Sequence, residues 1–255
     1  MTGGGPPPPA GFSIHRFAAA GSTNDIARDL LRQGAAEMVV VHALSQSGGR
    51  GRDGRRWESP AGNLYVSLGL RPRGRPGEVA LLGFAAALAV AETVDRFAGA
   101  AGPATLKWPN DVLLGGRKIA GILLESDGAT SSGVEGLVIG VGLNVASAPA
   151  AARIPATCLR DAAGAEMPVE PVLDALLAAF ARCHARWSAQ GFAPIRAAWL
   201  ARAHGLGAEI EARLPRHSIA GLFAGIDDDG ALLLAQGDST LRIHAGDVFF
   251  PGDAC

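Results

Sequence analysis

Lysine is almost missing from this chain. Of 23 basic residues only two, Lys107 and Lys118, are lysines; the other 21 are arginines. Where arginine serves as the ordinary surface cation, a retained lysine marks a place for a compact, rotatable ammonium that a planar guanidinium does not fit. Both lysines fall within residues 106–125. The bland alternative is chance survival. Asparagine is equally scarce, confined to Asn24, Asn63, Asn110 and Asn144. The three cysteines, Cys158, Cys183 and Cys255, lie far apart without metal-ligand spacing or an even set. That excludes a disulfide scaffold and favours a reducing compartment. Residues 1–11, rich in Gly and Pro, carry neither the basic nor the apolar part of a signal peptide and read as a disordered tail. The longest charge-free apolar run, 79–91, is too short for a bilayer and predicts a buried helix. A cytoplasmic protein with no membrane partner is expected. Net charge is only -1, which argues against wholesale binding to nucleic acid and leaves room for a local basic patch.

What the chain does have is concentrated in residues 46–57. Arg50, Arg52, Arg55 and Arg56 alternate there with Gly49, Gly51 and Gly54. Glycine lets backbone approach a ligand or take positive φ, and guanidinium forks suit phosphate and carboxylate. Like charges and glycine entropy make such a loop costly to order, so it is expected to fold around an anionic ligand. Its Gly49-x-Gly51-x-x-Gly54 spacing matches a dinucleotide fingerprint formally, but 57–62 breaks the helix which that fingerprint requires.

The 255 residues, 48% of them apolar, suffice for one large and one small domain. A strand at 12–17 leads to a helix opened by Ser22, Thr23, Asn24 and Asp25, with Ser22 a plausible N-cap, Asp25 three residues on and Ile26, Leu30 and Leu31 inward. Capping alone accounts for Ser22 and Thr23; the functional reading adds hydroxyls aimed at a polar ligand. Strands follow at 38–44 and 63–70, and a helix at 78–97. In 105–111 Pro109 disfavours helix and predicts a rigid bend presenting Lys107, Asn110 and Asp111. A glycine-turn hairpin through 112–125 then sets Lys107, Asp111 and Lys118 on neighbouring strands. A strand at 134–145 and helices at 168–190 and 192–204 precede short alternating strands, which form a small β-barrel from about residue 207.

An arginine loop, two retained lysines, a carboxylate and nearby indoles are what attack of a carboxylate on an ATP α-phosphate requires. Cations offset the repulsion of two anions, a metal held by a carboxylate neutralises pyrophosphate, and a folded loop shields the acyl-adenylate from water. On residues alone, a nucleic-acid-binding loop remains the rival, with a solvated loop and a core Trp108 the bland readings.

Residues 49–57 (Gly-Arg-Gly-Arg-Asp-Gly-Arg-Arg-Trp), 107–111 (Lys-Trp-Pro-Asn-Asp), 117–121 (Arg-Lys-Ile-Ala-Gly), 140–145 (Gly-Val-Gly-Leu-Asn-Val) and 22–24 (Ser-Thr-Asn) together resemble the motifs of the biotin protein ligases. Residues 224–227, 230–234 and 245–247 resemble that family's C-terminal SH3-like domain, and the likeness runs over 12–248. The resemblance implies an α+β fold: a class II synthetase-like catalytic domain with a mixed sheet over 12–207, then an SH3-like β-barrel over 208–255. It implies ATP and Mg2+, biotin as substrate, biotinyl-5′-AMP as intermediate and a biotin carboxyl carrier protein as partner, with a homodimer left open. A lipoate-protein ligase is the alternative on the same fold, though its Arg-x-x-Gly-Gly-Gly motif is absent. With eleven residues before Phe12, no DNA-binding role is expected.

Matched residue by residue, the resemblance puts Ser22, Thr23, Asn24, Gln46, Gly49, Arg50, Gly51, Lys118 and Gly121 around biotin. Arg50, Arg52, Arg55, Trp57, Asn110 and Asn144 go to the nucleotide, with Trp57 covering the adenine side. Lys107 bridges biotin carboxylate and α-phosphate, Lys118 contacts the reacting oxygens, Arg52 retains the intermediate, and Asp111 assists the metal or deprotonates the incoming lysine. Asp53 departs from a commonly basic position, and Pro251 falls where some members place a cation towards ATP.

Overall fold

Two parallel strands, β1 (Ser13–Phe17) and β2 (Met38–Ala43), are joined through α1 (Thr23–Arg32) in a crossover connection. This is a computed structural model that describes residues 12–35, 38–128, 133–150 and 155–251. The expected tail before Phe12 and Cys255 lie outside them. From β2 the sheet grows by antiparallel pairing through β3 (Leu64–Leu70), β7 (Gly136–Leu143), β6 (Arg117–Asp127), β5 (Asp111–Leu114) and β4 (Thr105–Lys107). One parallel pair in seven strands makes it the mixed sheet expected.

Alternation along β2 sorts its side chains between two cores. Val39 and Val41 meet Ala27 and Leu31 of α1, while Val40 faces the larger cluster beneath α3 (Leu82–Phe97) and α5 (Val169–Gln190). The helix expected over 78–97 is two pieces, because α2 (Pro76–Ala80) and α3 meet at Leu81. Residues 76–97 are long and apolar enough for a membrane span, yet 67% of the apolar window is buried against the rest of the protein. They form a core helix, as the short apolar run predicts.

A five-stranded antiparallel sheet closes the chain: β8 (Glu209–Arg213), β9 (Ser218–Ile226), β10 (Leu232–Gln236), β11 (Ser239–Ile243) and β12 (Asp247–Phe249), in the order β11-β10-β9-β8-β12. Strand β12 and α4 (Leu159–Ala163) are too short to leave a readable pattern. The helix expected over 192–204 stops at Leu200 (α6, Ala193–Leu200), because Arg202 and His204 turn to pair with Leu106 of β4 at 2.8 and 2.9 Å. Ile210, Phe223 and Leu232 belong to the main hydrophobic core, and β9 packs against α6, so the small sheet shares the core of the larger part.

Candidate active site

The two lysines meet in one cavity of about 310 Å3 at the end of the hairpin. Lys107 ends β4, opposite Asp111 of β5. It is 4% exposed, with its ammonium 5.5 and 5.4 Å from the ring centres of Phe249 and Phe250. The bend between β4 and β5 contains a cis Trp108–Pro109 bond, and the Trp108 indole donates to Gly230 O at 3.1 Å. The register of β5 on β6 shifts between Val112 and Leu113, so that Leu113 pairs with Lys118. Such a bulge re-aims a side chain. Lys118 is thereby brought onto the Gly121 side of the strand, where its Nζ sits 2.5 Å from Asp111 Oδ1 and 5.5 Å from the Trp57 ring centre.

The arginine loop is folded over this cavity, and carboxylates of the protein hold it there. Arg50 reaches Asp25 of α1 at 2.6 and 2.9 Å and Glu125 of β6 at 3.0 and 3.1 Å. Arg52 and Arg55 converge on Asp247 of β12 at 3.2 and 2.9 Å, and Arg52 also donates to Gly246 O. Asp53 bonds Arg55 at 2.8 Å from a backbone at φ 55°, a conformation that Asp tolerates better than most side chains. The residue that departs from a basic position thus steadies the turn. Arg50's hydrogen bond, outweighing burial, holds the Asp25 carboxyl below the usual range; burial raises Glu125, but Arg50 and Asn24 pull it below its ordinary value as well.

Gly142 gives Trp57 its seat. A Cβ at Gly142 would come within 2.6 Å of the indole, so the ring lies against bare backbone of β6 and β7. Trp57 Nε1 is buried and, among the described residues, has no hydrogen-bond partner. An unsatisfied buried donor of this kind invites a ligand acceptor.

At the other end, Gln46 Oε1 accepts from Thr23 N at 2.8 Å and Thr23 Oγ1 at 3.0 Å. Ser67, fully buried, contacts Thr23 Oγ1 at 2.7 Å and Asn24 Oδ1 at 2.6 Å. Ser22 begins α1 but its side chain makes no capping bond, and Asp25 binds Arg28 and Arg50 instead of completing a capping box. The capping explanation for Ser22 therefore fails.

Ser22, Thr23, Asn24, Gln46, Arg50, Gly51, Arg52, Arg55, Trp57, Lys107, Asn110, Asp111, Lys118, Gly121 and Asn144 all line the cavity. Gly49 does not. It is buried where a Cβ would strike Ser59 Oγ at 2.5 Å and Trp57 O at 2.6 Å, so its role is backbone packing. Asn110 and Asn144 each donate one amide N–H, to Ile122 O and Thr157 O at 2.6 and 3.0 Å, and so brace the wall. Arg50 is committed to two carboxylates rather than open to a ligand. Asp247 and Phe249 were missed as lining residues; the only signal was the 245–247 motif, which marks the small domain without a role for its acid. No group of three metal-ligating side chains occurs among the described residues, so Asp111 is the candidate carboxylate without protein co-ligands.

Residues 17–144 match the Biotin/lipoate A/B protein ligase family and residues 205–250 the Biotin protein ligase C terminal domain. A biotin–[acetyl-CoA-carboxylase] ligase of Paracoccus denitrificans is 44% identical over 92% of this chain and 100% of its own length. The bifunctional ligase/repressor BirA of Bacillus subtilis is 34% identical over 89% of this chain and 70% of its own. The solved structure of Aquifex aeolicus biotin protein ligase in complex with biotin and ATP superposes with a TM-score of 0.78 at 25% identity, covering 92% of this chain and 97% of that one. With its catalytic and C-terminal parts both matched and a relative of equal span at this identity, the chain belongs to the biotin protein ligase family.

Proposed function

We propose that this chain joins biotin to a lysine of a biotin carboxyl carrier domain, through biotinyl-5′-AMP made from biotin and ATP. The observation that carries the reading is the single cavity in which the chain's only two lysines and its arginine loop converge. In the first half-reaction a biotin carboxylate oxygen bonds to the α-phosphorus and pyrophosphate leaves. Lys107, partly shielded by Phe249 and Phe250, stands between the two anions and offsets their repulsion where solvent screening is weak. Lys118 stabilises the reacting oxygens, and Thr23 and Gln46 hold the polar ring at the far end.

Mg2+ fits through Asp111, because this ion is commonly held by one or two carboxylates together with substrate phosphates, and Asp111 faces the cavity. When bound it would neutralise charge on the pyrophosphate. In the second half-reaction the carrier amine attacks the acyl carbon, AMP leaves with the bonding pair, and Asp111 takes the proton. The loop keeps water from the adenylate meanwhile, with Arg52 and Arg55 tied to the C-terminal domain. This reading carries with it a carrier-protein partner and a cytoplasmic site of action.

The C-terminal match and the biotin-named relatives favour biotin over lipoate. With Arg50, Arg52 and Arg55 bonded to Asp25, Glu125 and Asp247, Arg56 alone of the four loop arginines is left, among the described residues, for a nucleic-acid backbone. The test is pyrophosphate exchange into ATP with purified protein, followed by transfer to a biotin carboxyl carrier domain. Exchange should require biotin, and lipoate should not replace it; equal exchange with lipoate, or none with biotin, overturns the proposal.

A further inference from the structure

Glu125 ties together two parts of the cavity that are far apart in sequence. Its Oε2 accepts from Asn24 Nδ2 at 2.7 Å and from Arg50 Nη2 at 3.0 Å, and its Oε1 accepts from Arg50 Nε at 3.1 Å. Arg28 adds a contact at 3.1 Å. Asn24 in turn meets Ser67, Ser67 meets Thr23, and Thr23 meets Gln46. A continuous path of side-chain contacts therefore runs from the Thr23–Gln46 end to Arg50 at the root of the arginine loop. The path has a built-in choice. Three oxygen–oxygen contacts (Thr23–Gln46, Ser67–Thr23 and Ser67–Asn24) share two hydroxyl protons, so a ligand that engages Thr23 or Gln46 decides where they point.

Resting on the ligase reading above, we propose that Glu125 is a positioning residue that couples occupancy of the ring end to closure of the arginine loop. It does so because one carboxylate holds both Asn24 and Arg50. Charge-assisted bonds are about twice as strong as neutral ones, so Asn24 cannot move without disturbing one of the two carboxylates that anchor Arg50. Asp25 anchors Arg50 too, but makes no bond to Asn24; it supports the loop without carrying the coupling.

The loop's own arginines supply the readout, since trypsin cuts after them when the segment opens. In the wild-type protein, saturating biotin without ATP should slow cleavage at residues 50–56 on the order of tenfold, the scale of ordinary site-to-site coupling. In Glu125→Gln, biotin should still bind by calorimetry while that protection falls to nearly nothing. Arg50→Met, read at the remaining sites after residues 52, 55 and 56, should lose it equally. Asp25→Asn should speed cleavage overall yet keep the protective ratio. Wild-type protection retained in Glu125→Gln overturns the proposal, as does wild-type protein that binds biotin without protection. A wild-type protein that does not bind biotin instead overturns the ligase reading.

Discussion

Lys107 and Lys118 share a charge and a cavity but not a setting. Lys107 is 4% exposed beside two phenylalanine rings, whereas Lys118 is held 2.5 Å from a carboxylate. Aromatic walls limit solvent screening around the first, and the Asp111 carboxylate lies against the second. Arg52 belongs to a third class, because its bonds go to Gly246 and Asp247 across the domain boundary. These settings predict separable defects. Lys107→Met keeps length and removes charge, so biotin-dependent pyrophosphate exchange should fall by at least about a hundredfold, the loss expected for one preorganised electrostatic donor. Arg52→Gly should leave adenylate formation largely intact and raise the free biotinyl-AMP found outside the enzyme, which would biotinylate bystander lysines. Normal exchange in the first variant, or wild-type retention in the second, would remove these roles.

At the level of elements, the hairpin of β5 and β6 was legible because Gly115-Gly116 and Pro109 have local meanings: a tight turn and an extended residue before it. The arginine loop stood out for the same reason, as a run of cations spaced by glycines. Its closure was not legible, since the partners Asp25, Glu125 and Asp247 lie on α1, β6 and β12, and nothing local marks an acid as a distant arginine's partner. Arg50 was accordingly assigned to ligand; it lines the cavity, and the bonds it makes there go to Asp25 and Glu125. The bulge that swings Lys118 onto the Gly121 side was hidden too, because register belongs to the pair of strands and not to either sequence. Gly142 shows how such pairing limits substitution. Gly142→Val should expel the Trp57 indole from β6 and β7, because even a Cβ comes within 2.6 Å of it. Emission summed over the four tryptophans should shift in part towards that of an exposed indole and adenylate retention should fall, while the core under α3 and α5 stays intact. An unchanged emission spectrum would mean that the ring is seated elsewhere.

For the molecule as a whole, titratable groups are built into two separate layers, and acid should unpick them in order. His42 is 2% exposed in β2, with its Nε2 unpartnered among the described residues. Burial lowers its pKa from the ordinary 6.5, and burial does the same to His184, which lies between Phe180 and Trp187. A depressed imidazole pKa means that the unfolded chain takes the proton first. Stability is therefore full above about pH 6.5 and declines below it towards the folded-state values. Asp25 and Glu125 are depressed carboxylates, so their contribution is full above their ordinary values of 3.8 and 4.5 and is lost only as pH falls through lower ones. The melting temperature should thus drop in a first step that begins below about pH 6.5 and in a second that begins below about pH 4.5. His42→Val, apolar and suited to a buried strand, should shrink the first step and spare the second; Glu125→Gln should do the reverse. A flat melting temperature from pH 7 to 5, or a first step untouched by His42→Val, would show that the buried imidazole does not set the acid limit of the fold.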